Sequence, residues 1–188
     1  ASIEIATEHG SAIGTRMTDL SAAYSTELRD TDQGPDLWLA NIRALAANAQ
    51  YEEAFTALQE NPKYPEETRA KAVTDALEIL TDYAADPSFL KQTVGNPGRF
   101  DGLAKPAAAL AVSERLLQIG LPDAAQAWLE FEGIDRAARE SRELKARIHL
   151  ARGEPEEAEI GLIGLQGEDV LRLRAEARRM MGDFEYAR

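Results

Sequence analysis

The chain has no cysteine, which excludes disulfides and thiolate metal sites. It is poor in aromatics, 6% of 188 residues, so a core has to be built mainly from Ala, Leu, Ile and Val. Small side chains let helix axes approach closely, and an alanine-rich core points to helix packed on helix. Positive charge is scarce: 21 Lys and Arg against 33 Asp and Glu leave a net charge of −12. Such a surface does not displace counterions from nucleic acid, nor is it drawn to an anionic bilayer, so neither partner is expected. No apolar run approaches the roughly 18–20 residues of a membrane span, and no membrane insertion is expected. Histidine is limited to His9, in a polar stretch, and His149, inside a helical stretch and read as a packing residue. There is no HExxH, GxSxG or phosphate-cradling GxxxxGK. Intrinsic catalysis, a cofactor and a bound metal are accordingly not expected.

What is present is helical periodicity. Ile13, Met17, Leu20, Tyr24 and Leu28 recur three and four apart and predict a helix over 11–29 with that stripe inward. Further helices are predicted over 36–49 and 51–59, and another opening at Pro65, whose apolar face is Val73, Ala76, Leu77, Leu80 and Tyr83. Asp86-Pro87 is read as its end, and 86–105 as an irregular loop with at most a helical turn near Phe89. Helices return over 107–119, 122–131, 137–152, 155–164 and 168–181, with Gly161, Gly164 and Gly167 expected to end the fourth of these early. The alternation in Ser2-Ile3-Glu4-Ile5 is too short to predict a strand. Three regions follow: 1–85, holding one helix pair at 36–60; the loop 86–105; and the helix pairs of 106–188.

Four short stretches align: AQYEEA (49–54), GLPDAA (120–125), GEPEEA (153–158) and GDFEYA (182–187). Each has a small residue where a first helix stops, and glycine suits a left-handed cap there. Pro122 and Pro155 stand where a second helix begins and an amide hydrogen has no partner. Acids follow at the positive end of the helix dipole. Then comes an alanine, where the second helix crosses the first.

This pattern resembles the tetratricopeptide repeat family, helix–turn–helix units of about 34 residues. Trp38, Ala54 and Leu58 match one copy; Ala146, Gly153, Ala158 and Leu162 another; Leu171, Ala175, Gly182 and Ala187 a further one. The resemblance covers 36–60 and 106–188. The step from Ala125 to Ala158 is 33 residues, that from Ala158 to Ala187 only 29, and that from Ala54 to Ala125 is 71. The resemblance implies an all-α fold of antiparallel helical hairpins stacked as a right-handed α-solenoid. An ordinary helical bundle, which shares this turn chemistry, is the alternative.

The resemblance also implies a concave face lined by first helices. Its inward slots are Leu39 and Arg43, then Leu110, Glu114 and Leu117, then Glu143 and Arg147, then Arg172, Glu176 and Arg179. The function implied is a non-catalytic scaffold that docks a protein or peptide segment on this face or at an open C-terminal end. The competing reading is solvated charge, Glu143 with Arg147 and Arg172 with Glu176 neutralising each other along one helix. The lysines and asparagines of the family's carboxylate clamp are absent. Alternatives are a helical accessory domain of a larger bacterial enzyme, such as a cell-envelope hydrolase, or a module that self-associates. Leu173, Ala177, Met180 and Met181 are expected to lie partly open, with the native chain continuing past Arg188. The start ASIEIATEHG is read as a processed or cut end, in a bacterial protein of cytoplasm or periplasm.

Weaker signals are read as local structure. Gly95-Asn96-Pro97-Gly98-Arg99 is a turn before it is an anion site. Asp30, Asp32 and Asp36 lack a calcium loop's glycine and its closing glutamate, and are expected to cap a helix. Glu154, Glu156, Glu157 and Glu159 are dipole partners and solvated charge.

Overall fold

The computed structural model describes residues 14–60, 63–94, 100, 104–131 and 133–183. Among these residues the chain is all-helical, ten helices with no strand. They are α1 (Thr15–Glu27), α2 (Gly34–Ala47), α3 (Tyr51–Gln59), α4 (Glu66–Tyr83), α5 (Asp86–Thr93), α6 (Pro106–Gln118), α7 (Pro122–Leu129), α8 (Arg139–Arg152), α9 (Pro155–Gly161) and α10 (Glu168–Met181). Two compact units divide the chain, Ala1–Ala108 and Ala109–Arg188.

One bend recurs. After α2, α6, α8 and α10 the chain steps into the left-handed region, at Ala49 (φ 60°), Gly120 (91°), Gly153 (78°) and Gly182 (81°). In each case the next amide reaches back five residues: Gln50 to the Leu45 carbonyl (2.9 Å), Leu121 to Leu116 (3.0 Å), Glu154 to His149 (2.9 Å) and Asp183 to Arg178 (2.9 Å). The left-handed residue's own amide reaches back three, at 3.0–3.2 Å. Together these bonds satisfy carbonyls that a helix end leaves bare. Gln50, Leu121 and Glu154 then share one further conformation, with ψ of 56°, 68° and 65°, and their carbonyls accept from Ala54, Ala125 and Ala158. All three alanines are fully buried, at the crossing where a larger side chain would separate the helices. Ala187 lies outside the described residues.

In the first unit α1 packs on α2, α2 on α3 and α4, and α3 on α4 and α5. The core there is Trp38, Ile42, Ala54, Phe55, Val73, Ala76, Leu77, Leu80 and Phe89. Trp38 donates its indole N–H to the Ala57 carbonyl (3.2 Å) and tilts against the Tyr64 ring, 5.2 Å between centroids. The Tyr64 hydroxyl donates to the Arg29 carbonyl (3.2 Å); burial pushes its pKa up, Arg29 opposing this and Asp30 adding to it. Gly34 opens α2 in a spot with no room for a side chain, since a β-carbon there would stand 2.3 Å from the Arg29 carbonyl oxygen. In the second unit α7 packs on α8, α8 on α9, α9 on α10, and α10 also on α8. Ala146, Leu150, Ala158, Leu162, Val170, Leu173 and Ala177 form its core. Ser113, fully buried on α6, donates to the Ala125 carbonyl (2.7 Å) beside the α6–α7 bend.

Several expectations are corrected. The stripe Met17, Leu20 and Tyr24 faces out, at 39%, 43% and 51% exposure. Helix α1 instead buries Thr18, Ser21 and Ser25. The Ser21 hydroxyl sits 2.9 Å from Asn41 Oδ1 and 2.8 Å from the Thr18 carbonyl oxygen, and Asn48 Nδ2 donates to Thr18 Oγ1. Asn41 on α2 and Asn48, which caps its end, decide which of two adjacent stripes turns inward. Tyr83, at the end of α4, is also exposed. Pro87 opens a helix where it was expected to close one: α5 occupies 86–93, the proline in its first turn, where a missing amide hydrogen costs nothing. No aspartate caps α2; Gln33 is its N-cap without a side-chain bond, and Asp36 is a first-turn acid. Leu171 is exposed, whereas Leu173 and Ala177 are buried and Met180 and Met181 exposed. Helix α9 ends early, at Gly161. The Arg142 guanidinium donates to the Gly161 carbonyl (3.0 and 2.8 Å) and the Ile163 carbonyl (2.6 Å), and Arg174 to that of Leu162 (2.9 Å).

Two urea-denaturation comparisons test this account. Ala49→Gly relieves a left-handed alanine and is expected to stabilise by about 0.5–1 kcal/mol, while Gly153→Ala loses a similar amount. Asn41→Ala is expected to cost about 1–2 kcal/mol, and Leu20→Ser less than about 0.5 kcal/mol. The reverse order in the second pair would show that α1 is turned the other way.

Candidate functional site

The predicted slots divide between the two units. In the first, Leu39 is buried and Arg43 is bound to Asp75 of α4, Nη2 to Oδ2 at 2.6 Å and Nε to Oδ2 at 2.7 Å. Both side chains are mostly covered, so Arg43 ties α2 to α4 and is not an open binding slot. Asp75 in turn belongs to an acidic edge with Glu78 and Asp82 at helical spacing. Partial burial, then Asp75, then Asp82 hold the Glu78 carboxyl above the ordinary range, and Lys105 opposes them.

In the second unit the exposed charges form pairs, but not those the intrahelical spacing suggests. Glu143 accepts from Arg139 Nε (2.6 Å), one turn back on α8. Arg147 reaches across to Glu114 of α6, Nη1 to Oε1 at 2.7 Å. Arg172 pairs with Asp169 (2.9 Å), not with Glu176. Glu176 and Arg179 are exposed on α10, and Leu110 and Leu117 on α6 are half-buried. The Arg147–Glu114 bridge joins residues 33 apart, and so does the neighbouring crossing-alanine pair Ala125 and Ala158. The structure thus brings Glu114 and Arg147 together directly. Sequence spacing within one helix misses this bridge; the 33-residue step carries it.

Three further pairs of titratable groups tie elements together. His149 Nδ1 lies 2.7 Å from Glu154 Oε2, bridging the α8–α9 bend. Glu159 accepts from Arg178 Nη2 at 2.9 Å, tying α9 to α10. Arg152 pairs with Asp123 at 2.7 Å, tying α8 to α7. Among the described residues no three His, Asp or Glu side chains group to hold a metal ion, and no helix is long and apolar enough to cross a membrane. His9 and residues 95–99, where a turn was expected, lie outside the described residues.

One further feature is a cleft of about 90 Å³, lined by Gln126, Leu129 and Glu130 with Arg136, Ser141 and Lys145. It adjoins α7, the loop after it and the first turns of α8.

The raised Glu78 carboxyl sets a pH dependence. A carboxyl with a folded pKa above its unfolded value loses stability as pH rises from the unfolded to the folded value, carries the full loss above it, and is relieved of it as pH falls back below the unfolded value. Glu78→Gln is therefore expected to raise the melting temperature at pH 7, with the gain vanishing below the ordinary glutamate range. A gain that persists unchanged in acid would contradict it. Compared with protein-family models, with curated proteins and with solved structures, the chain finds no match.

Proposed function

We propose that the chain is a non-catalytic scaffold of tetratricopeptide-like helix pairs, stacked antiparallel as a right-handed α-solenoid, which docks a partner protein segment on the exposed charges of α6, α8 and α10. The pairs are α2 with α3, α4 with α5, α6 with α7, and α8 with α9. Helix α5 lies in the 71-residue interval between Ala54 and Ala125, where the repeat reading needs the second member of a pair. In the second unit a second helix packs on the next first helix, α7 on α8 and α9 on α10, and first helices α8 and α10 also meet, as stacking of such pairs requires.

The observation that carries the reading is the Arg147–Glu114 bridge. It joins equivalent slots of neighbouring first helices while leaving 37% and 49% of the two side chains exposed. With Arg172, Glu176 and Arg179 it makes a surface of alternating charge. Exposed pairs of this kind contribute little to stability, which leaves them open to exchange for a partner's charges.

Selection of displayed random peptides against the whole chain tests this. Selected peptides are expected to lose about tenfold or more in affinity when Arg147 and Arg172 are both replaced by glutamate, with the helical circular dichroism unchanged. Equal affinity for the double variant would remove the groove from these helices.

A further inference from the structure

The cleft at the start of α8 is a different surface from the charge ladder. Lys145 lies two residues from both Glu143 and Arg147, about 200° around the helix from each, and so on the opposite side of α8. Two cations line the cleft, and neither has a carboxylate partner among the described residues. The Arg136 guanidinium donates only to the Glu130 carbonyl oxygen, 3.2 Å from Nη2. The Lys145 ammonium is exposed and makes no ion pair. Between them stands Ser141, a residue only 3% exposed, whose hydroxyl makes no hydrogen bond among the described residues. Its oxygen is not sealed from solvent, so the hydroxyl is free to turn its proton to a ligand in the cleft; the sealed, unpartnered oxygen of the lining is Gln126 Oε1.

Among the described lining residues one carboxylate, Glu130, shares the cleft. Glu130 Oε1 accepts from Gln126 Nε2 at 2.8 Å, which holds that acid in place. Among these described residues, two cations against one carboxylate leave a single positive charge. That balance suits a monoanion; a phosphate dianion would remain half-compensated and repelled by Glu130. Ser141 also lies in the first turn of α8, where the helix dipole favours negative charge. The volume admits a small charged group, well below the several hundred Å³ of a drug-sized ligand site.

We propose that this cleft is a carboxylate-binding site, taking an aspartate or glutamate side chain of an acidic peptide segment through Arg136, Lys145 and the Ser141 hydroxyl. The site stands apart from the docking face of α6, α8 and α10, and neither depends on the other. The chain's net charge of −12 repels an acidic peptide overall, so capture has to come from this local excess of cations.

Titration of the full chain with a blocked hexaglutamate peptide, followed by amide NMR at low ionic strength, tests the proposal. Shifts are expected at Ser141, Lys145 and their neighbours. Lys145→Ala and Arg136→Ala are each expected to weaken binding about tenfold, while Lys145→Arg retains most of it. Both variant positions are exposed, so the fold should be kept, as circular dichroism would check. A blocked hexaglutamine peptide and inorganic phosphate are expected to leave the Ser141 and Lys145 resonances in place. The proposal is overturned if hexaglutamate does not move those resonances, if both alanine variants bind it as the parent does, or if phosphate binds there equally well.

Discussion

A left-handed residue followed by a back-bonded amide is the constraint on which the rest of this molecule depends. At each such bend two hydrogen bonds close the end of one helix, and the next residue launches a second. Because the backbone route is the same after α2, α6 and α8, the fourth residue of the new helix always meets the old one at the same height. Only alanine suits that place, and Ala54, Ala125 and Ala158 occupy it with no exposed surface. The hydrophobic contacts of the second unit, from Ala146 through Ala177, are arranged around the crossing that the bend prescribes.

This feature was readable in the sequence because glycine and proline carry specific backbone demands. Gly120, Gly153 and Gly182 announce a positive φ, and Pro122 and Pro155 announce a helix start. Ala49 gives no such announcement, yet its alignment with the three glycines was enough to place it. Other elements were hidden for reasons equally physical. Met17, Leu20 and Tyr24 are a convincing apolar stripe, but hydropathy cannot know that Asn41 on α2 and Asn48 at its end wait for Ser21 and Thr18. A proline both starts helices and ends them, and Asp86-Pro87 offered no local signal to choose. The short α9 follows from its glycines, though the capping arginines come from α8 and α10, and no local pattern points to them.

The candidate surfaces were less legible than the fold. Helical spacing paired Glu143 with Arg147 and Arg172 with Glu176, whereas the structure gives Arg139–Glu143, Arg147–Glu114 and Arg172–Asp169. Long side chains choose among partners within reach, and the nearest acid to Arg147 is on another helix. The predicted slot Arg43 became a tie between α2 and α4. No sequence pattern marked the cleft of Arg136, Ser141 and Lys145, whose members come together only when α8 is laid against α7. Helix α8 thus carries the paired Glu143 and Arg147 on one side and Lys145 on the other.

Native-state hydrogen exchange at the bends probes the central constraint most directly. The amides of Gln50, Leu121 and Glu154 are expected to exchange as slowly as those of Ala54, Ala125 and Ala158 in the helices they launch, because each is bonded to a carbonyl five residues back. Exchange of those three bend amides at the rate of an open loop, with the helices still protected, would show that the bends are connectors only and that the repeated crossing has another cause.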